Sequence, residues 1–434
     1  MQEADQQERH EIVVIGAGPA GAIAATLLQR RGHQVTVFER QRFPRFSIGE
    51  SLLAHCLEFV EEAGMMEAVR AAGFQEKNGA AFACGDRYTA FDFRDKFSPG
   101  PGTTFQVLRS RFDQVLADEA VRQGVRIHYE HEVVAANFDG AQPWLEVRDL
   151  SAGSGAATAA PVGAPAPRRI STRFVLDASG YGRVLARLLD LERPTHLPPR
   201  RAIFTHIEDH ITAADFDRQK ILISVHPEHE DVWFWTIPFS DGRCSLGVVG
   251  AQEKILAAPN ADLMATLRHW VDGAPNLRRL LANAVWDTPA NTIGGYAASV
   301  QSLHGRGWAL LGNAAEFLDP VFSSGVTIAM HSSKLAADCL HRQLGGETVD
   351  WAKDFSVPLM RGVNCFRTYV QGWYEGSFRD VVFFEKAQPQ IRAMISSILA
   401  GYAWDENNPF VAEHERRLRM LAEVCRGMAE TAAT

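Results

Sequence analysis

The sequence predicts an α/β protein with an inserted β-rich domain and a helical C-terminal region. Three observations predict it. A strand, a glycine-rich turn and a helix follow one another over residues 12–31. From residue 188 to 290 the pattern changes to strands separated by long turns, with a helix near 258–272. Residues 346–434 then carry mostly helical periodicity.

At the N-terminus, Ile12 to Ile15 is a short apolar run, Gly16-Ala-Gly18-Pro19-Ala20-Gly21 follows, and residues 22–31 repeat apolar side chains at helical spacing. Gly16 suits a tight turn, Gly18 lets backbone approach a pyrophosphate, and Gly21 lets the helix pack closely on the strand. A second strand over residues 34–38 ends at Glu39, placed for a ribose hydroxyl. Together these predict a Rossmann-like dinucleotide-binding domain, and the acid disfavours a 2′-phosphorylated cofactor.

The loop over residues 42–51 is punctuated and basic. Arg42 and Arg45 read equally well as phosphate partners or as surface charges. A long helical pattern follows over residues 52–72, and then Lys77 stands beside a turn, where a solvated lysine is the usual outcome. Residues 104–108 lead into a helix ending near Gly124; Arg109 either reaches a phosphate or flavin, or pairs with Asp113 at the helix start. Strands are expected at 125–129, 132–135, 144–150 and 173–176, with a mobile Ala/Gly/Pro/Ser-rich surface excursion at 151–167. Asp177-Ala-Ser-Gly180 closes the last of these strands as a second candidate cofactor loop.

In the inserted region Trp233 and Trp235 stand two apart, so one face of a strand carries both. From the residues alone a packed aromatic wall is the simpler reading. Residues 292–301 and 307–311 return to the first layer and deliver Gly312-Asn313-Ala-Ala, then Phe317-Leu-Asp-Pro320-Val-Phe-Ser323-Ser324-Gly325 ahead of a helix over 326–344. A Pro and a Gly bracketing small hydroxyl residues at a strand-to-helix junction bring backbone N–H groups toward an anionic or planar ligand. The expected divisions are 1–187 (nucleotide layer, with strands near 83–106 facing the second domain), 188–290 (substrate domain), 291–345 (return segment) and 346–434 (helical region).

Composition excludes other classes. The 434 residues are 46% hydrophobic and 22% charged, enough for two or three packed domains, and a net charge of -8 with scattered cations argues against a nucleic-acid groove. Six cysteines without CxxC or Cys/His spacing predict reduced thiols, no metal and a cytoplasmic setting. No 18-residue apolar run predicts an integral membrane span, and the polar first ten residues do not form a secretory signal.

The fingerprint, the Arg109/Asp113 segment and the Asp177 loop together resemble the flavoprotein monooxygenase superfamily of the para-hydroxybenzoate hydroxylase type. Within it, Gly49-Glu-Ser-Leu-Leu53, Trp233-x-Trp235-x-Ile237-Pro238 and Phe317-x-x-Pro320-x-x-Ser323-x-Gly325 resemble the flavin-dependent halogenases, over nearly the whole chain. The resemblance implies an FAD-binding domain in which Gly16, Gly18, Pro19, Ala20, Gly21, Glu39 and Arg40 hold the nucleotide. It further implies that Ser47, Ile48, Arg109, Asp177, Gly180, Gly312, Asn313, Pro320, Ser323, Gly325 and Val326 approach the rest of the cofactor, with Ser323, Ser324 and Gly325 near a halide position. Trp233 and Trp235 are implied to separate the flavin from the organic substrate, and Lys77, within Lys-x-Gly-x-x-Phe, matches the lysine of members acting on phenols, pyrroles or carrier-bound acyl groups.

The implied reaction is FADH2-dependent chlorination or bromination of an electron-rich aromatic ring, using O2 and chloride or bromide through a flavin C4a-hydroperoxide and hypohalous acid. A separate NAD(P)H-dependent flavin reductase is implied because the chain has no second nucleotide fingerprint. Three departures stand out: Ala54 where the family often has Pro, Asn313 in the acidic place of Gly-Asp-Ala, and no counterpart of the tryptophan-halogenase glutamate. A hydroxylating or epoxidising FAD monooxygenase is the alternative. A non-catalytic FAD-binding or carrier-interaction module is a third.

Overall fold

The register of three parallel strands fixes where the cleft lies. In the computed structural model, which describes residues 8–140, 142–151, 166–195, 197–256 and 262–433, the apolar strand Glu8–Ile15 runs between Val35–Glu39 and Arg168–Asp177. Ile15 is level with both Phe38 and Asp177, and Asp177 with Leu310 of the next strand, Trp308–Leu310. Four strands therefore end together, and the loops beyond Ile15, Glu39, Asp177 and Leu310 share one edge, the usual ligand-binding edge of such sheets. Arg126–Tyr129, His131–Asn137, Trp144–Asp149 and His304–Gly305 complete an eight-stranded sheet.

Helix Pro19–Arg30 begins at the Gly18 turn, and Ala, Ile and Leu fill its buried face. It packs beside the long helix Ser324–Leu344, whose Ser333 hydroxyl donates to the Ala20 carbonyl at 2.8 Å.

A seven-stranded sheet lies against this layer, in the order Asn291–Gly294, Arg200–Glu208, Arg243–Ala251, Trp233–Pro238, Lys220–Val225, Gly79–Cys84 and Arg87–Asp92. Alternation decides its two faces. Phe234, Leu222, Leu246 and Val248 pack under helices Leu263–Asp272 and Pro275–Leu280. Trp233, Trp235, Ile221, Ile223, Phe204 and Val249 point the other way, into the main core beside the cleft. The expected shared face of the two tryptophans is present. Helix Val357–Glu375 adds buried Phe366, Tyr369 and Trp373, with Trp373 edge-on to Phe322 at 5.9 Å.

Several local expectations need correction. The single helix expected over 52–72 is two, Cys56–Glu62 and Met66–Ala71. Gly64 breaks it at φ +68, where an added Cβ would lie 2.3 Å from the Arg30 guanidinium. The helix expected near 258–272 begins at Leu263, where the Asp262 side chain accepts the Ala265 N–H at 3.0 Å; residues 257–261 lie outside the described ones. Asn291–Gly294, expected to lead back to the first layer, instead pairs with Arg200–Glu208. Most of the surface excursion at 151–167 also lies outside the described residues, which omit 152–165.

All six cysteines are free. Among the described residues no helix is long and apolar enough to cross a membrane, and no group of His, Cys, Asp and Glu is arranged to hold a metal.

Candidate flavin site

Along the shared strand edge runs a cleft of about 560 Å³, extending from Gly18 and Glu39 at one end to Ser323 and Trp235 at the other. That volume lies in the range of small-molecule and cofactor pockets. Backbone makes much of its wall.

At the first end Gly16, at φ +95, turns the chain so tightly that a Cβ would meet the Ala178 carbonyl at 2.7 Å. The helix starting at Pro19 has no side-chain cap and no acid in its first turn, so its free N–H groups face an anion unopposed. The Glu39 carboxylate accepts the Ala17 N–H on Oε2 and the Gln41 N–H on Oε1, both at 2.9 Å, which holds it at the cleft wall. Pro19, Ala20 and Arg40 line the same end.

Of its two sequence readings Arg109 makes the Asp113 pair, and it also lies on the cleft wall. It clasps Asp113 with Nε at 2.8 Å and Nη2 at 3.0 Å, donates Nη1 to the Ile48 carbonyl at 2.6 Å, and still lines the cleft. Arg45 joins the same Asp113 at 3.1 Å and also lines the wall, whereas Arg42 turns outward to Glu130. Ser47, Ile48, Gly180, Asn313, Pro320, Ser323, Gly325 and Val326 complete the set of sequence-predicted residues on the cleft.

The second end is built at the start of helix Ser324–Leu344, which likewise has no side-chain cap and no first-turn acid, with Ser323 in the left-handed region at φ 55. Beside it the buried Asn313 Oδ1 has no hydrogen-bond partner. Two uncapped helix starts, an orphaned amide oxygen and Gly180, whose missing side chain has open space, form a cradle for a dinucleotide with a polar, hydroxyl-bearing linker. The residues present therefore fit FAD.

Six predicted residues do not line the cleft. Gly21 packs the helix: a Cβ there would fall 1.8 Å from the Gly16 carbonyl. Asp177, fully buried, spends its oxygens on the Ser179 and Leu185 N–H groups at 2.9 and 2.6 Å, thereby shaping the loop. Gly312 donates its N–H to Ser332 Oγ at 3.0 Å and touches Ala329. Ser324 is buried in the first turn of its helix. Trp233 lies beside Trp235 on the same strand face but off the cleft, its ring centroid 6.0 Å away and its N–H donated to Tyr374 OH at 2.9 Å.

Lys77 is the sixth, and it is 1% exposed. Strand Gln75–Lys77 pairs with Thr104–Gln106, and Gln106 in turn bridges Ser51, which brings two distant segments together. Lys77 Nζ donates to Ser51 Oγ and to the Leu52 carbonyl, each at 2.8 Å, and lies 5.3 Å from the Phe93 ring centroid. Ser51 itself lines the cleft. Among the described residues no carboxylate pairs with Lys77, so burial pulls its ammonium down from 10.5 to about 7. Trp235, 4% exposed, donates to Ser245 Oγ at 3.0 Å and covers Gly247, forming the cleft wall with Phe204, Ile221 and Ile237.

Sequence reasoning missed Glu50 and His206, which meet at 2.6 Å with Glu50 on the cleft wall, and His131, Glu132 and Val133 at the nucleotide end. Glu50 lies inside a quoted motif and was findable; the others come together only through sheet pairing.

The FAD binding domain family matches residues 9–350 of this chain. A tryptophan 2-halogenase of Chondromyces crocatus is 29% identical over 87% of this chain and 70% of its own length. A 1H-pyrrole-2-carbonyl-[peptidyl-carrier protein] chlorinase of Pseudomonas fluorescens is 28% identical over 84% of this chain and 82% of its own. Among solved structures, a flavoprotein/dehydrogenase of Cytophaga hutchinsonii is 41% identical with a TM-score of 0.90, covering 98% of this chain and 100% of that one.

Proposed function

The chain belongs to the FAD binding domain family, and from that premise we propose that it halogenates an electron-rich aromatic substrate with chloride or bromide. One observation carries the reading: a buried lysine with no carboxylate partner among the described residues sits one hydroxyl away from the flavin cleft. A cation placed there for stability alone would ordinarily be paired. The relatives that act on tryptophan and on carrier-bound pyrrole support the reaction class. They also return indoles to the substrate panel, although the lysine motif and the missing glutamate favour phenols and pyrroles.

Bound as FADH2, the cofactor supplies the activation of O2 that oxidises halide. The chain's part is to bind, orient and exclude water. Backbone N–H groups at Ala20 and Gly325, with Glu39 and Asn313, would hold the cofactor. Trp235, Phe204 and Ile237 make an apolar wall that keeps bulk water from the reactive end. With its ammonium drawn to about 7, Lys77 exchanges a proton near neutrality. Two of its N–H groups donate to Ser51 Oγ and to the Leu52 carbonyl, which leaves Nζ one further position to orient hypohalous acid by hydrogen bonding or, as the neutral amine, to take its halogen as a haloamine with release of water. A separate NAD(P)H-dependent flavin reductase supplies FADH2 in a cytoplasmic setting, and the substrate is free or tethered to a carrier protein.

The test is product mass spectrometry with FAD, a flavin reductase, NADH, O2, bromide or chloride, and phenols, pyrroles, indoles and their carrier-bound forms. Halogenated product that disappears in Lys77→Ala, with FAD binding retained, is the expected result. Product gaining one oxygen without halide would assign the monooxygenase reading instead.

A further inference from the structure

The segment that brings Pro320 and Ser323 to the cleft starts with Asp319, a residue the proposed reaction does not use. Its side chain is 4% exposed and is shared among three segments distant in sequence. Oδ1 accepts the Val321 N–H at 3.0 Å, inside the cleft-lining turn. Oδ2 accepts Tyr374 OH at 2.9 Å, from helix Val357–Glu375, and Tyr296 OH at 3.3 Å. Tyr374 in turn accepts the indole N–H of Trp233 at 2.9 Å. Donation thus runs in one direction, from Trp233 through Tyr374 to Asp319. Only an ionised carboxylate accepts on every side in this way.

The charged and titratable neighbours are few. Arg200 stacks over the Tyr374 ring at 3.4 Å and gives Nη1 to the Asp231 carbonyl, so it lends charge to Asp319 without a hydrogen bond. Tyr181 is the other titrating group that senses Asp319. Burial pushes the carboxyl up to about 6, against the pull of Val321 N–H, Tyr374, Arg200 and Tyr296. At neutral pH the fold therefore carries a buried charge that stability alone does not favour.

We propose that Asp319 is a positioning residue: its carboxylate holds the Pro320–Ser324 turn directly and the Trp233 indole through Tyr374, so the flavin cleft and the aromatic wall keep one relative geometry. The inference rests on the cleft being the FAD site and not on halogenation.

FAD affinity of the full chain, measured by flavin fluorescence from pH 5 to pH 8 beside thermal melting, tests it. Wild-type affinity is expected to fall as pH drops through about 6, where Asp319 takes up its proton. Asp319→Asn, which cannot ionise, is expected to bind FAD about tenfold more weakly at pH 8, the worth of one charge-assisted hydrogen bond, and to show no inflection there. Tyr374→Phe removes a donor to the carboxylate, so its inflection moves to higher pH.

Melting separates this role from a merely structural one, which would lower the melting temperature without moving the pH inflection of FAD affinity. Because the folded pKa is raised, the wild-type stability contribution of Asp319 is complete below the unfolded value of 3.8 and is lost as pH rises through about 6. Asp319→Asn therefore melts no lower than wild type at pH 8 while binding FAD more weakly. Lower melting with unchanged affinity and a retained inflection overturns the proposal. Should Asp319→Asn not fold, Tyr374→Phe decides alone: an upward inflection supports the assignment and an unmoved one overturns it.

Discussion

The two ends of the cleft are built by different means. The nucleotide end is made of backbone: Gly16 and Gly18 at a turn, the bare start of helix Pro19–Arg30, and one acid at the next strand end. All of it lies within residues 16–39. The lysine end is made of side chains from segments far apart, with Lys77 resting on Ser51 and Leu52, and Cys56 sharing a 3.0 Å hydrogen bond with Thr327. A backbone site depends on local conformation, which residue type controls; a side-chain site depends on strand pairing that no short window contains.

A glycine substitution is the most severe way to break the first end. Gly21→Val places a Cβ 1.8 Å from the Gly16 carbonyl and 2.9 Å from its carbon, and both are backbone atoms that cannot swing aside. The helix must lift from the strand. We expect destabilisation of upward of about 3 kcal/mol and loss of FAD binding, read by thermal melting and flavin fluorescence. Melting near wild type would mean that the turn adapts and that the first end is less rigid than its geometry implies.

At the second end the corresponding lever is charge. Lys77 has its folded pKa lowered from 10.5 to about 7, so between those values the unfolded chain holds a proton that the folded one has released. Stability contributed by Lys77 thus rises with pH through this window and is lost as pH falls toward 7. Lys77→Met carries no proton at any pH. The difference in unfolding free energy, wild type minus Lys77→Met, should grow by about 2 kcal/mol between pH 7 and pH 9. A flat difference in denaturant titrations would mean that the buried amine stays charged.

The same contrast explains what was legible in the sequence. Gly16 to Gly21 and Glu39 identify a nucleotide end on their own, because turn, helix start and terminal acid are local features. Lys77 is different: by periodicity it reads as a solvated lysine beside a turn, and only its resemblance to a family motif marks it out. Its burial follows from the pairing of Gln75–Lys77 with Thr104–Gln106, a contact between strands about thirty residues apart in chain order. The split of the expected helix over 52–72 was missed because helical periodicity continues on both sides of Gly64, whose positive φ closes the first helix with backbone bonds from Gly64 to Glu61 and from Met65 to Val60. Tyr374, which belongs to none of the sequence motifs, reaches Asp319 through tertiary packing alone. Resemblance to known motifs reached positions that propensity did not.

The smallest expected effect lies at Trp235, on the wall of the second end. Its indole N–H donates to Ser245 Oγ on the neighbouring strand at 3.0 Å, and the two residues are 4% and 0% exposed. Ser245→Ala removes the acceptor without disturbing Gly247 beneath the ring, leaving a buried N–H without a partner. The cost should be about 1–2 kcal/mol, less than for Gly21→Val, because one hydrogen bond is lost and no backbone atom is displaced. Denaturant titration measures that loss, and FAD affinity separates its two possible consequences. If affinity stays near wild type, Gly247 and Phe204 suffice to seat the ring and the aromatic wall behaves like the backbone-built end. If affinity falls with stability, the hydrogen bond sets the ring's position, and the wall belongs with Lys77 among the parts of the cleft that exist only through pairing between distant strands.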